Sequence, residues 1–187
     1  MIQTKADLKF YLQADKAALK IEKRFPSLVG DRVWKFQRAL RRCEYHRNRG
    51  GLISRMLYYW HKLRLESLSA KTGFSIPLNC FGPGLSIAHA GTIVVHHNAR
   101  IGANCRLHVC VNIGASRGST RAPRIGANVY IAPGVKIFGD IEIADDIAIG
   151  ANAVVNKSFL EPGITIAGVP ARKISARDSR GLVIRAA

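Results

Sequence analysis

The chain has 187 residues, of which 48% are hydrophobic, and a formal net charge of +17. That is ample apolar material for the core of one domain, which is the prior for this length. No run approaches the ~18 apolar residues that span a bilayer, and MIQTKADLKF has no signal-peptide apolar segment, so a cytoplasmic protein is expected.

Residues 1–70 read as an α-helical segment. Residues 4–23 predict an amphipathic helix with Leu8, Tyr11, Leu12, Ala18, Leu19 and Ile21 on one stripe, stopped by Pro26. A second helix runs to Arg49, with Asp31 as its cap and the cluster Arg38, Arg41, Arg42 on it; Gly50-Gly51 breaks it. The third, about residues 52–68, presents Ile53, Met56, Leu57, Trp60 and Leu63. Lys and Arg outnumber acids 16 to 6 over residues 1–70, against 13 to 6 in the remainder. Such an excess attracts nucleotides, acidic polymers or anionic lipid, or is simply a solvated face. No nucleic-acid partner is expected, and the run Tyr58-Tyr59-Trp60-His61-Lys62 either packs on the protein or meets the inner face of a membrane.

From Thr72 the pattern changes. Val95, Ile101, Leu107, Ile113, Ile125, Ile131, Ile137, Ile143, Ile149 and Val155 lie on one six-residue grid, broken only at Ser119. A second row, Ala99, Cys105, Val111, Val129, Val135, Ile141, Ile147 and Ala153, follows four residues after most grid points. Helices repeat every 3.6 residues and strands every two, so period six fits a chain wound into flat-walled coils. The grid side chains then point inward, and a small neighbour such as Gly102 or Gly126 lets the backbone turn the corner. Ala115 to Pro123 carries no inward residue and predicts a loop thrown out of the stack, a natural ligand contact. Pro170 ends the last coil, and the basic tail from Ser175 is either mobile or laid over a neighbouring surface. Cys43, Cys80, Cys105 and Cys110 show no CxxC pairing, and Cys105 falls on an inward row as a small core residue.

No phosphate-binding glycine loop precedes a helix and no serine elbow appears, so the reactive candidates are His89, His96, His97 and His108. His108 follows His89 by nineteen residues, one more than three hexads. In a three-walled coil the two are neighbours on successive turns. An imidazole's ordinary pKa suits proton removal from a hydroxyl near neutrality. Three histidines could also hold zinc, but His96 and His97 are consecutive and expected to diverge, and no acid stands beside them; no metal is expected.

The hexads, with GLSIAHAGTIVV, IGANCRLHVCVNIGA and IAGVPARKI, resemble the serine acetyltransferases of the hexapeptide-repeat transferases over roughly residues 70–175. That resemblance implies a mostly β chain. It would hold a left-handed parallel β-helix over 71–175, after the helical segment 1–70 and before a tail, 176–187. It implies a homotrimer, with pairing of trimers through the N-terminal helices left open, and acetyl-CoA lying between walls of adjacent subunits. His89 matches the general base that prepares an acceptor hydroxyl for direct attack on the thioester. Gly114, Ala115, Ala132 and Ala151 fall where the family holds the pantetheine arm, and Arg172 and Lys173 where CoA phosphates are met.

The departures bear on the acceptor. The serine-specific enzymes carry an Asp immediately before the histidine; this chain has Ala88, and Phe74 to Pro77 lacks the second, upstream acid. Their Arg-His pair reads Arg121-Ala122 here, which keeps an arginine for an acceptor carboxylate while an ammonium group loses its counter-charge. The leading expectation is therefore a sugar hydroxyl of a surface polysaccharide or its precursor. L-serine is the alternative, and a non-catalytic scaffold ranks below both. His108, Asn112 and Arg121 are the acceptor-site candidates, and His108, Asn112 or a backbone carbonyl replaces the missing Asp in orienting His89.

Overall fold

The computed structural model describes residues 1–116 and 118–186; Arg117, inside the predicted loop, and Ala187 lie outside the described residues. The helices are α1 (Lys5–Ala18), α2 (Arg32–Arg49) and α3 (Leu52–Thr72). Thr4 and Asp7 form a reciprocal capping box at the start of α1. The helix ends short of the predicted residue 23 because Lys20 turns left-handed at φ 56°. Its fully buried residues are Ala14, Asp15 and Ala18, while Leu8, Tyr11, Leu12, Leu19 and Ile21 are half-buried. Asp31 does not cap α2: it sits at φ 49°, and its carboxylate instead accepts from the Ser27 N–H and pairs with Lys23.

Arg41, read from the sequence as one of a basic cluster, is fully buried. Its Nε donates to Asp15 at 2.8 Å, Nη1 to Glu44 at 3.1 Å, and the two Nη atoms to the carbonyls of Phe81 and Gly82 at 3.0 and 2.6 Å. Asp15 also accepts from the Leu85 N–H, Glu44 from the Asn79 N–H, and Gln37 donates to the Leu85 carbonyl. Burial disfavours the guanidinium charge, but Asp15 and Glu44 outweigh it and hold Arg41 ionised. This network pins α1 and α2 to the entry of the coils. On α3 the predicted apolar stripe faces outward: Ile53, Met56, Trp60 and Leu63 are exposed, while Ser54, His61 and Leu65 are buried. His61 stacks on His46 of α2 at 5.2 Å, with Arg42 of α2 close by, while Leu65 joins the apolar core.

The coils begin at Phe74. The first wall stacks Phe74–Ser75, Ile93–Val95, Val111–Gly114, Lys136–Phe138 and Val154–Val155; the second stacks Arg100–Ile101, Arg124–Ile125 and Glu142–Ile143. The third stacks Ser86–Ile87, Arg106–Leu107, Tyr130–Ile131, Ala148–Ile149 and Thr165–Ala167 in parallel, and Arg172–Ser175 closes it antiparallel. The fold is a left-handed parallel β-helix. Ile131 pairs with Ile149, an 18-residue step, whereas Ile101 pairs with Ile125, 24 residues on; the six extra residues fall within the predicted Ala115–Pro123 segment. Ala122 and Pro123 are buried, so the loop leaves the stack before them.

Every residue of the grid and of its second row is buried. Gly102 is required by stacking rather than by corner conformation: a Cβ there would lie 2.7 Å from the Ala127 nitrogen of the next coil. The left-handed corner conformations fall instead to Asn104, Asn128 and Asp146, at φ 56°, 58° and 61°. Asn104 donates to Asn128, and Asn128 to Asp146, each at 2.9 Å. The C-terminal tail runs back along this ladder: Ser179 Oγ donates to the Asn128 carbonyl, Arg185 pairs with Asp146, and the Ala186 N–H donates to Asn104. It covers the chain's own coils.

Candidate active site

His89 stands on the corner that leads from the third wall to the first. Pairing of Ile87 with Leu107 sets His108 beneath Ala88, and the rings of His89 and His108 lie 6.5 Å apart at 59°. The expected neighbours on successive turns are therefore brought together. The same register continues through Ile131 and Ile149, so Ala132 follows Ala88 and His108 and is buried, while Ala151, one position further round the same corner, is exposed. Of the two, only Ala151 presents its side chain to the outside of this corner. Arg172, exposed and opposite Ala167 on the closing strand, lies at the foot of the stack. Lys173 pairs with Glu161 at 2.5 Å.

His89 is exposed and makes no side-chain hydrogen bond among the described residues. Among the described residues neither His108, Asn112 nor a carbonyl hydrogen-bonds to it, so the expected orienting contact is not made. His108 is half-buried, set edge-on to Tyr130 at 5.2 Å, and its Nε2 is buried without a hydrogen-bond partner. Burial, then Arg106 and His89, lowers its pKa, so the ring stays neutral with a nitrogen available to a donor.

Asn112, Gly114 and Ala115 lie on the outer side of the first wall, lining a groove of about 480 Å³ with Val94, His96 and Ser119. Arg121 does not join His89. It belongs to the opposite corner, between the first and second walls, where it pairs with Asp140 at 2.9 Å in an exposed bridge. The width of the first wall separates them. His96 and His97 do not diverge as expected, because they fall in a corner rather than on a wall; their rings lie 4.3 Å apart. Among the described residues no group of three potential metal ligands forms.

Arg106 and Tyr130 went unread in the sequence, yet they precede the grid residues Leu107 and Ile131 and so share the outward row beside His108. The grid, applied to its outward-facing neighbours, could have found them.

No family model matches the chain. Serine acetyltransferase of Staphylococcus xylosus is 36% identical over 138 residues, 69% of this chain and 62% of that protein. The Mycobacterium tuberculosis serine acetyltransferase is 37% identical over 106 residues, 55% of this chain and 46% of its own. The chain thus spans about half to two-thirds the length of these relatives. Among solved structures, soybean serine acetyltransferase complexed with serine matches at TM-score 0.70 and 27% identity, covering 90% of this chain and 70% of that one. A serine acetyltransferase in complex with CoA matches at TM-score 0.72 and 24% identity, over 91% and 71%; at that identity the likeness is one of fold.

Proposed function

We propose that this chain, serine acetyltransferase-like in sequence and fold, is an acetyl-CoA-dependent O-acetyltransferase with His89 as general base. The observation that carries the reading is an exposed imidazole, free of side-chain hydrogen bonds among the described residues, on a corner of the stack 6.5 Å from the ring of His108. A ring nitrogen of His89 takes the proton of an acceptor hydroxyl as its oxygen bonds to the thioester carbonyl carbon. The tetrahedral oxyanion collapses, the carbon–sulfur bond breaks, and the imidazolium returns the proton to the departing CoA thiolate. The products are the O-acetyl ester and free CoA, with no acyl-enzyme. Ala132, Ala151, Gly114 and Ala115 are the surfaces for the pantetheine arm, and Arg172 and Lys173 supply cations for its phosphates. The same reading sets the protein inside the cell, where its co-substrate is made.

His89 and Arg121 occupy opposite edges of one wall, which supports a threefold assembly in which the edge of one subunit meets the other edge of the next. The outward apolar stripe of α3 is available for pairing such trimers. No helix is long and apolar enough to cross a membrane among the described residues; nothing beyond the exposure of α3 supports lipid contact, and none is proposed.

The relatives' names support L-serine as acceptor better than the sugar hydroxyl expected from the sequence. A sugar stays as second reading because Ala88 replaces an acid and no carboxylate contacts His89 among the described residues. A CoA-release assay with L-serine against a panel of neutral and acidic sugars tests both. Saturable release with an acceptor, lost in His89→Ala, is expected; release indifferent to that change overturns the assignment.

A further inference from the structure

Beside the histidine pair lies a pocket of about 380 Å³ that the reaction scheme leaves unused. Its wall is Arg106, His108 and Tyr130; its rim is Leu19 and Lys20 after α1; its roof is the tail at Leu182 and Ile184. Three separate parts of the chain thus converge on one cavity. The tail is fixed there by the bonds of Ser179, Arg185 and Ala186 to the corner ladder, so the roof is built and not incidental. Lys20 and Arg106 are the charged residues in the lining, with no acid among its side chains. Among the described residues the Arg106 side chain hydrogen-bonds to the Ser86 hydroxyl alone, at 3.3 Å, which leaves most of its donors for a ligand. The Nε2 of His108 is buried and unpartnered among the described residues, and asks for a hydroxyl or water. Leu19, Leu182, Ile184 and the Tyr130 ring give the remainder an apolar surface.

We propose that this pocket holds the anionic end of a hydroxyl-bearing acceptor larger than an amino acid, a sugar acid or sugar phosphate. Arg106 and Lys20 bind its carboxylate or phosphate, Nε2 of His108 accepts from one of its hydroxyls, and a further hydroxyl reaches His89, 6.5 Å from His108 between ring centres. An ammonium group meets two cations here and no acid in the lining, whereas a carboxylate or phosphate is matched by both. The inference rests on His89 as base and sharpens the second acceptor reading.

The test uses the whole chain with D-glucuronate, D-glucose 1-phosphate, D-glucose and L-serine. Wild type and Arg106→Gln are compared by CoA release, and by calorimetric titration of each compound without acetyl-CoA. A charge-assisted contact is worth about 10–100-fold in affinity, so Arg106→Gln is expected to raise the KM and Kd of the anionic sugars by that factor. The acetyl-CoA KM and the melting temperature should be unmoved, and Arg106→Lys should restore part of the loss. Response to glucuronate alone assigns a carboxylate source, and response to the phosphate alone a phosphate source. Binding that depends on Arg106 without acetyl transfer retains the pocket and removes the proposed activity. Transfer to L-serine or glucose with constants indifferent to Arg106→Gln, and no binding of either anion, overturns the pocket and leaves the activity standing.

Discussion

Inside the coil stack the inward rows are aliphatic or small without exception, from Val95 to Val155. Inside the helical cap the buried set includes Asp15, Gln37, Arg41, Glu44 and His61. The stack gains from stacking like on like, each coil repeating the burial of the last. The cap gains from geometry: Arg41 ties α1, α2 and the first coil carbonyls into one arrangement, at the cost of desolvating three charges. The difference suggests a division of labour in which the stack supplies stability and carries the candidate chemistry at its corners, and the cap fixes where the end of α1 sits.

The largest expected effect separates chemistry from folding. His89→Ala should lower turnover by roughly 10²–10⁴-fold, the usual worth of a general base, with an unchanged melting curve because the residue is exposed. Arg41→Ala should behave in the opposite sense. Leaving Asp15 and Glu44 buried without their partner costs about 3–5 kcal/mol, read as a loss in denaturant midpoint, while kcat of the surviving folded protein stays near wild type. Ile131→Ala, in the middle of the stack, should cost about 2–5 kcal/mol through the cavity it leaves. If Arg41→Ala lowers kcat as strongly as His89→Ala at full folding, the division between cap and stack is wrong.

Legibility in the sequence follows the same division. Two inward rows, repeated every six residues from Val95 to Val155, made the walls, the loop and the neighbourhood of His89 and His108 readable from the sequence. The cap has no repeat to average over. Its exposed stripe of Ile53, Met56, Trp60 and Leu63 has the spacing of a buried one, and what decides the face is the polar surface of α2, which local periodicity does not carry. Arg41 looked like its neighbours Arg38 and Arg42 because burial of a guanidinium depends on Asp15, 26 residues away, and on carbonyls of the first coil. The position of Arg121 likewise needed the wall width and the pairing with Asp140. The acceptor stayed open because a single missing acid at Ala88 constrains what is absent rather than what replaces it.

A smaller effect examines the foot of the stack. Replacing Arg172 and Lys173 together by Gln should raise the acetyl-CoA KM by roughly 10-fold, as expected for lost charge-assisted contacts to phosphate. Lys173 is shared with Glu161, so most of the change should come from Arg172 and appear in the single variant. A change confined to kcat would remove these residues from the phosphate role.

The smallest effect lies in the cap and concerns pH. His61 is buried between α2 and α3, its ring stacked on that of His46 at 5.2 Å, and the Nδ1 atoms of both rings are buried without partners. Burial, with His46, Arg42 and Arg64 close by, lowers the pKa of His61 to about 4. In the unfolded chain a histidine takes its proton near pH 6.5, so between those values the unfolded state binds more protons. Stability contributed by the neutral ring is then complete above about pH 6.5 and declines as pH falls towards 4. Carboxylates elsewhere titrate at the lower end of this window, so the informative quantity is the difference between two proteins. The melting temperature of wild type should fall further than that of His61→Gln between pH 6.5 and 4, by about 2–4 °C, the size of a 1 kcal/mol change for a chain of this length. Parallel curves would mean that the packed imidazole pair opens to water on acidification, and that the cap is softer at this seam than around Arg41.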